Sequence, residues 1–171
     1  MNIGTVVFDY DVNTKRLTDA LFSEDEIGSI IRCHFEVEQA IEHVLAKFTD
    51  GRTKRKANNW NFAQKLELCR IIGIHDNFLV PFKTLNDHRN DFAHNGKITI
   101  SDKDVTDLII QVRRACPQFT DQLQLEIIGE RKFMKSVMEC TNKEKYILAV
   151  SMVLSIFCAL PHINIKITNS I

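Results

Sequence analysis

From Ile27 to Leu45 apolar residues recur at helical spacing: Ile27, Ile30, Ile31, Val37, Ile41, Val44 and Leu45. A run of that period with no proline in it commits the segment to a long amphipathic helix, and its stripe must be covered by other elements of the same kind. The stretch before it, "FSEDE", offers a start. Ser23 stands in N-cap position with Glu26 three residues on, in capping-box spacing, and Phe22 ahead of it is placed to act as a staple.

The rest of the chain reads the same way. "TDGRTKRKANN" is a loop turning at Asp50-Gly51. "WNFAQKLELCRIIGI" is a second helix with Phe62, Leu66, Cys69 and Ile72 as its stripe. A third helix opens near Asp76, as cap, or with Pro81 in its first turn, and stops at Asn95-Gly96. "SDKDVTDLIIQVRRAC" opens with Ser101 and Asp104 in capping-box spacing and ends before Pro117. The segment 120–130 carries no clear pattern. A last helix is expected over about 132–160, with a break near Thr141-Asn142. Residues 1–20 read as a weakly patterned arm in which "TVVFDY" is a short strand or extended. Only six Gly and three Pro in 171 residues argue against a many-turned β architecture. The expectation is one all-α domain over 1–171, a bundle of about five helices with a short N-terminal arm.

Composition narrows the function classes. Lys+Arg and Asp+Glu both number 22, so the net charge is zero and nucleic-acid binding would need a local patch. The five cysteines are widely spaced with no C-x-x-C, which reads as a reduced, cytoplasmic protein without a zinc ribbon or disulfide frame. The N-terminus has no basic start before its apolar patch and does not read as a signal peptide. The apolar stretch "YILAVSMVLSIFCAL" is shorter than the roughly 20 residues of a membrane span and reads as a core helix, with no membrane partner expected. No metal-ligand frame, phosphate-binding glycine loop or nucleophile elbow is present, so neither a metal nor a cofactor is expected.

The most informative stretch is "NDHRNDFAHNGK". Phe82, Leu85, Arg89 and Phe92 step by 3, 4 and 3, so Arg89 falls on an apolar stripe. An arginine cannot shed its charge, so such a place demands an anionic partner or a wet cleft. Two readings stand. Either Arg89 makes a structural salt bridge, with Glu38 of the first helix as the chosen partner, or the face lines a cleft in which Arg89 meets a phosphate. His94 lies five residues on, about 140° around the helix from Arg89, where a long guanidinium side chain can still converge with it. It acts either as a favourable charge at a helix C-terminus or as an acid and base. Arg plus His is a sufficient set for phosphodiester cleavage without metal. Asp91 is placed either to orient His94 or to be solvated. His34 and Glu38 lie either in the same cleft or on a polar rim. In "GRTKRK", Arg52, Lys54, Arg55 and Lys56 form either a track for an RNA backbone or a solvated surface.

At these residues the chain resembles a known family. "RNDFAH" matches the R-x4-H motif of HEPN domains, including a polar residue, Asn90, after the arginine. "GSIIRCHFEVEQAIEHVL" resembles the opening helix of the mannitol repressor family and its HEPN-like relatives, at Arg32, His34, Val37 and Glu38. The resemblance spans roughly residues 22–116. It implies a helical bundle that pairs as a homodimer, with two R-x4-H motifs meeting in one composite cleft. It further implies a metal-independent endoribonuclease of the toxin or phage-defence kind, with Arg89 and His94 catalytic and Asn90, Glu38 and His34 at positions of the matched runs, beside Asp91, as supporting residues. A toxin of this kind would be masked by a separate antitoxin. The alternative it implies is a non-enzymatic transcriptional regulator or interaction module of the mannitol repressor kind.

Overall fold

The computed structural model describes residues 12–53, 59–127 and 131–162, and "TVVFDY" lies outside them. Among the described residues there are six α-helices and one small hairpin: α1 (Thr14–Phe22), α2 (Glu26–Phe48), α3 (Phe62–Ile71), α4 (Asp76–His94), α5 (Asp102–Ala115), β1 (Gln124–Ile127), β2 (Phe133–Ser136) and α6 (Asn142–Ala159). The all-α expectation holds, with one helix more than expected and a hairpin besides.

The long helix is the hub. Ile30, Cys33, Val37, Ile41 and Val44 of α2 are fully buried, and α1, α3, α4 and α6 pack around it. Helix α5 covers the far side of α4 and α6. Helix α6 is apolar all round because it is enclosed by α1, α2 and α5, with Tyr146, Ala149, Leu154 and Phe157 fully buried. Together with the 3-10 turn after it, α6 spans 21 residues, Asn142–His162, long and apolar enough by composition to cross a bilayer. That exceeds the length read from the sequence, and half of its most apolar stretch is buried inside the domain.

Three local readings need correction. The expected arm contains a helix, α1, whose Leu17, Ala20 and Leu21 are buried and whose cap is Asn13. Because α1 runs through Phe22, Ser23 becomes its C-cap, and α2 is capped instead by Asp25, whose Oδ1 accepts from Gly28 N at 2.9 Å. Second, α4 begins at Asp76 behind a His75 cap, and Pro81 sits in its second turn. Third, of the helix expected over 132–160 only the part after the expected break at Thr141-Asn142 is α-helical, and Val137–Glu139 before it is a 3-10 turn. Phe133–Ser136 pairs antiparallel with Gln124–Ile127, Ile127 opposite Phe133, and Phe133 packs edge-on to Phe22. Two four-residue strands are too short for a period of two to stand out.

The Ser101–Asp104 capping box forms as expected. Helix α4 ends as expected too: Asn95 is its C-cap, and Gly96 takes φ +68°, a left-handed turn that a side chain would strain.

Candidate functional site

Helices α2 and α4 run antiparallel. His34 on α2 meets Asn86 on α4, and Glu26 at the start of α2 accepts from Ile100 N just past the end of α4. Arg89 is therefore level with the turn of α2 that carries Ile31 and His34. It is half-buried, and its Nη1 donates to Asn90 Oδ1 at 3.2 Å. The expected ion pair with Glu38 does not form. That carboxylate belongs to Lys65 of α3, whose Nζ lies 2.6 Å from Glu38 Oε1 and 2.5 Å from Glu42 Oε1. Among the described residues no carboxylate lies within ion-pair distance of Arg89, so its charge is balanced by none of them directly.

The buried polar residue of the motif helix is His88, one position earlier. Its Nδ1 meets the Tyr146 hydroxyl at 3.0 Å, and its Nε2 lies 3.7 Å from Asp104, which Lys97 holds at 2.5 Å. Positions 82, 85, 88 and 92 fit a helical face as well as 82, 85, 89 and 92 do, which is why spacing alone did not separate the two. Burial lowers the His88 pKa, against the pull of Asp104. Burial also works against the Asp104 charge, but hydrogen bonds from Lys97 and Ser101 outweigh it and hold that carboxyl below its ordinary value.

His34 sits against the Phe62 ring, centroids 4.7 Å apart, with Nε2 3.0 Å from Asn86 Oδ1. Desolvation lowers its pKa, more than the Asn86 contact and Glu38 raise it, and the charges of Arg89 and Lys65 push the same way as burial. His34 is therefore held toward its neutral form, beside the Arg89 and Lys65 cations. His94, the last residue of α4, is exposed, and its side chain makes no hydrogen bond or ion pair among the described residues. Asp91 does not orient it: its Oδ1 accepts from Asn95 Nδ2 at 2.9 Å and so secures the helix end. On the α2 side, Ile31 and Phe35 are 50% and 47% exposed, an apolar pair on the turn beside His34. Arg32, of the same run, has Nη1 buried without a hydrogen-bond partner.

Of the loop cations, Arg52 is exposed and pairs with Asp50 at 3.4 Å; Lys54, Arg55 and Lys56 lie outside the described residues. No group of three or more His, Cys, Asp or Glu is placed to hold a metal ion among the described residues. All five cysteines are buried and unpaired, and burial pushes the Cys33, Cys69 and Cys158 thiols up to about 12, far from a reactive thiolate.

Sequence reasoning missed three members of this region. Lys65 stands three residues after Phe62 and four before Cys69, a charged residue on an apolar stripe, the same signal that singled out Arg89. His88 carried that signal as well. Asn86 carried none, because an exposed-type amide on a helix is unremarkable until its partner is known. Compared with protein-family models, curated proteins and solved structures, the chain matches none.

Proposed function

We propose that the α2–α4 face is the site of a metal-independent endoribonuclease of HEPN type, working as a homodimer. The observation that carries this reading is Arg89: a guanidinium without a carboxylate partner among the described residues, steadied by Asn90, five residues before an exposed histidine on the same helix. A structural arginine at a helix–helix contact would be neutralised, and the carboxylate expected to do so, Glu38, is instead taken by Lys65.

The chemistry follows from the residue types. The attacking group is the RNA's own 2′-hydroxyl. Its oxygen bonds to phosphorus as the phosphorus–5′-oxygen bond breaks, leaving a 2′,3′-cyclic phosphate. One base must take the 2′ proton and one acid must give a proton to the leaving 5′-oxygen. In a two-fold pair the two His94 side chains divide those roles, and Arg89 offsets the charge that grows on the non-bridging oxygens. His34 and Asn86 hold the α2 wall of the cleft. The test is cleavage of single-stranded RNA by the purified chain in EDTA, wild type beside His94→Ala and Arg89→Ala. Activity in wild type that both variants lose by at least about 10²-fold supports the reading; a wild-type dimer that cuts no RNA removes it.

A second reading, a regulator or interaction module, draws on a different observation: the exposed Ile31–Phe35 pair on the same face. An apolar pair beside a cation that has no carboxylate partner among the described residues also suits a protein partner, and in that reading neither variant changes any RNA.

A further inference from the structure

Helices α3 and α4 leave a groove of about 290 Å³ between them, near the lower bound of roughly 300 Å³ for small-molecule sites. We propose that this groove is the subsite for the nucleobase of the ribonucleotide whose phosphate sits at Arg89; the identity of that phosphate rests on the ribonuclease reading above.

The groove has a direction. Helices α3 and α4 are antiparallel, with Arg70 bonded to Asp76 at one end and Phe62 beside Asn86 at the other. Its walls are mainly apolar, formed by Phe62, Leu66, Leu79 and Val80. The α4 side is the stripe 79, 83, 86, and the next position on that stripe is Asn90. Asn90 is the residue that holds the Arg89 guanidinium. The guanidinium is therefore drawn toward the Phe62–Asn86 end, one turn or roughly 6 Å beyond Asn86.

Charge selects the occupant. The rim cations are already spent: Lys83 pairs with Asp87, and Arg70 with Glu67 and Asp76. The charges that line the groove balance, Arg70 and Lys83 against Glu67 and Asp87, with Asp76 a further carboxylate at the Arg70 end, and the cation without a carboxylate partner among the described residues lies past the other end. A nucleotide has the same division, a flat neutral ring and one anionic phosphate a ribose apart. Asn86 supplies recognition of the ring edge. Its Oδ1 is engaged by His34 Nε2, while its amide N–H groups have no partner among the described residues and are left for a carbonyl or ring nitrogen. The volume holds one base and not a helix or a strand of peptide. Phe62 joins the two halves of the site, lining the groove and supporting His34 with the same ring.

The full chain, isotope-labelled, is titrated with adenosine 5′-monophosphate, ribose 5′-phosphate and inorganic phosphate while the Leu66, Leu79 and Val80 methyl signals are followed. The adenosine nucleotide is expected to shift those methyls saturably, and the two base-free probes are not. Ala63→Trp, at an exposed rim position, should fill the groove and weaken that binding at least about tenfold, the scale of losing a base stack, without lowering the melting temperature. Equal binding of ribose phosphate, methyl shifts confined elsewhere, or indifference to Ala63→Trp overturns the subsite. If Ala63→Trp cuts RNA at the wild-type rate and no methyl shifts, the subsite falls and the ribonuclease reading stands. If the nucleotide binds in the groove and no RNA is cut, the ribonuclease reading falls and the nucleotide site remains.

Discussion

Lys65 Nζ lies 2.6 Å from Glu38 Oε1, and the lysine side chain is only 4% exposed. A second carboxylate, Glu42, completes the clamp from the next turn of α2. Burial works to lower the Lys65 pKa, but the hydrogen bonds to Glu38 and Glu42 prevail and raise it. This clamp, which fastens α3 to α2, is a structural ion pair, and Arg89 is not part of it.

Lys65→Met should therefore destabilise the fold by about 2–4 kcal/mol, because two partly buried carboxylates lose their cation. Arg89→Ala should cost less than about 1 kcal/mol, since it removes one hydrogen bond to Asn90 at a half-exposed position. Chemical denaturation of the two variants checks both. Equal losses would return Arg89 to a structural role.

Acid should weaken the fold through His88 and His34. Burial lowers both pKa values below that of the unfolded chain. Between the lowered values and about 6.5 the unfolded chain binds more protons than the folded one, so stability falls as pH falls through that window. Replacing His88 and His34 by Gln removes the two titrating groups and should flatten the dependence between about pH 7 and 5. A slope unchanged in the double variant would contradict this. Tyr146→Phe isolates the other side of His88: it leaves a buried ring nitrogen without its partner and should cost about 1–3 kcal/mol.

Assembly should depend on the α2 face. Wild type is expected to be a dimer at micromolar concentration, with a melting temperature that rises with concentration. Ile31→Glu places a charge in the exposed apolar pair beside His34 and should give a folded monomer with RNA cleavage lost. Light scattering that shows the same mass for both proteins would place the pairing surface elsewhere.

Helices α2 to α6 and most of their ends were legible because each carries its own local signal: a 3.6-residue apolar period, a capping box at Ser101–Asp104, a glycine at position 96. What stayed hidden depends on contacts between distant segments. Helix α1 is nine residues long and is steadied from α2, where buried Glu36 holds Arg16 and the Asn13 amide. The strand at Phe133 exists because Gln124–Ile127 lies opposite it. The candidate site divides the same way. Arg89 and His94 stood out as a charged residue on a stripe and a histidine before an Asn-Gly stop. The owner of Glu38 did not, since both Lys65 and Arg89 have the right chemistry and only the packing of α3 on α2 decides between them.

The attacking group is the centre of the account, and one substitution tests it. An Arg–His site must borrow its nucleophile from the 2′-hydroxyl of the nucleotide before the cut. The measurement is cleavage by the purified dimer, in EDTA, of an RNA oligonucleotide with a mapped cut site and of the same oligonucleotide carrying a single 2′-deoxy nucleotide there. The account predicts a 2′,3′-cyclic phosphate end on the all-ribose strand, no cut at the deoxy position, and no cut at either by His94→Ala. Cleavage at the deoxy position, or a folded wild-type dimer that leaves the all-ribose strand intact, would contradict it.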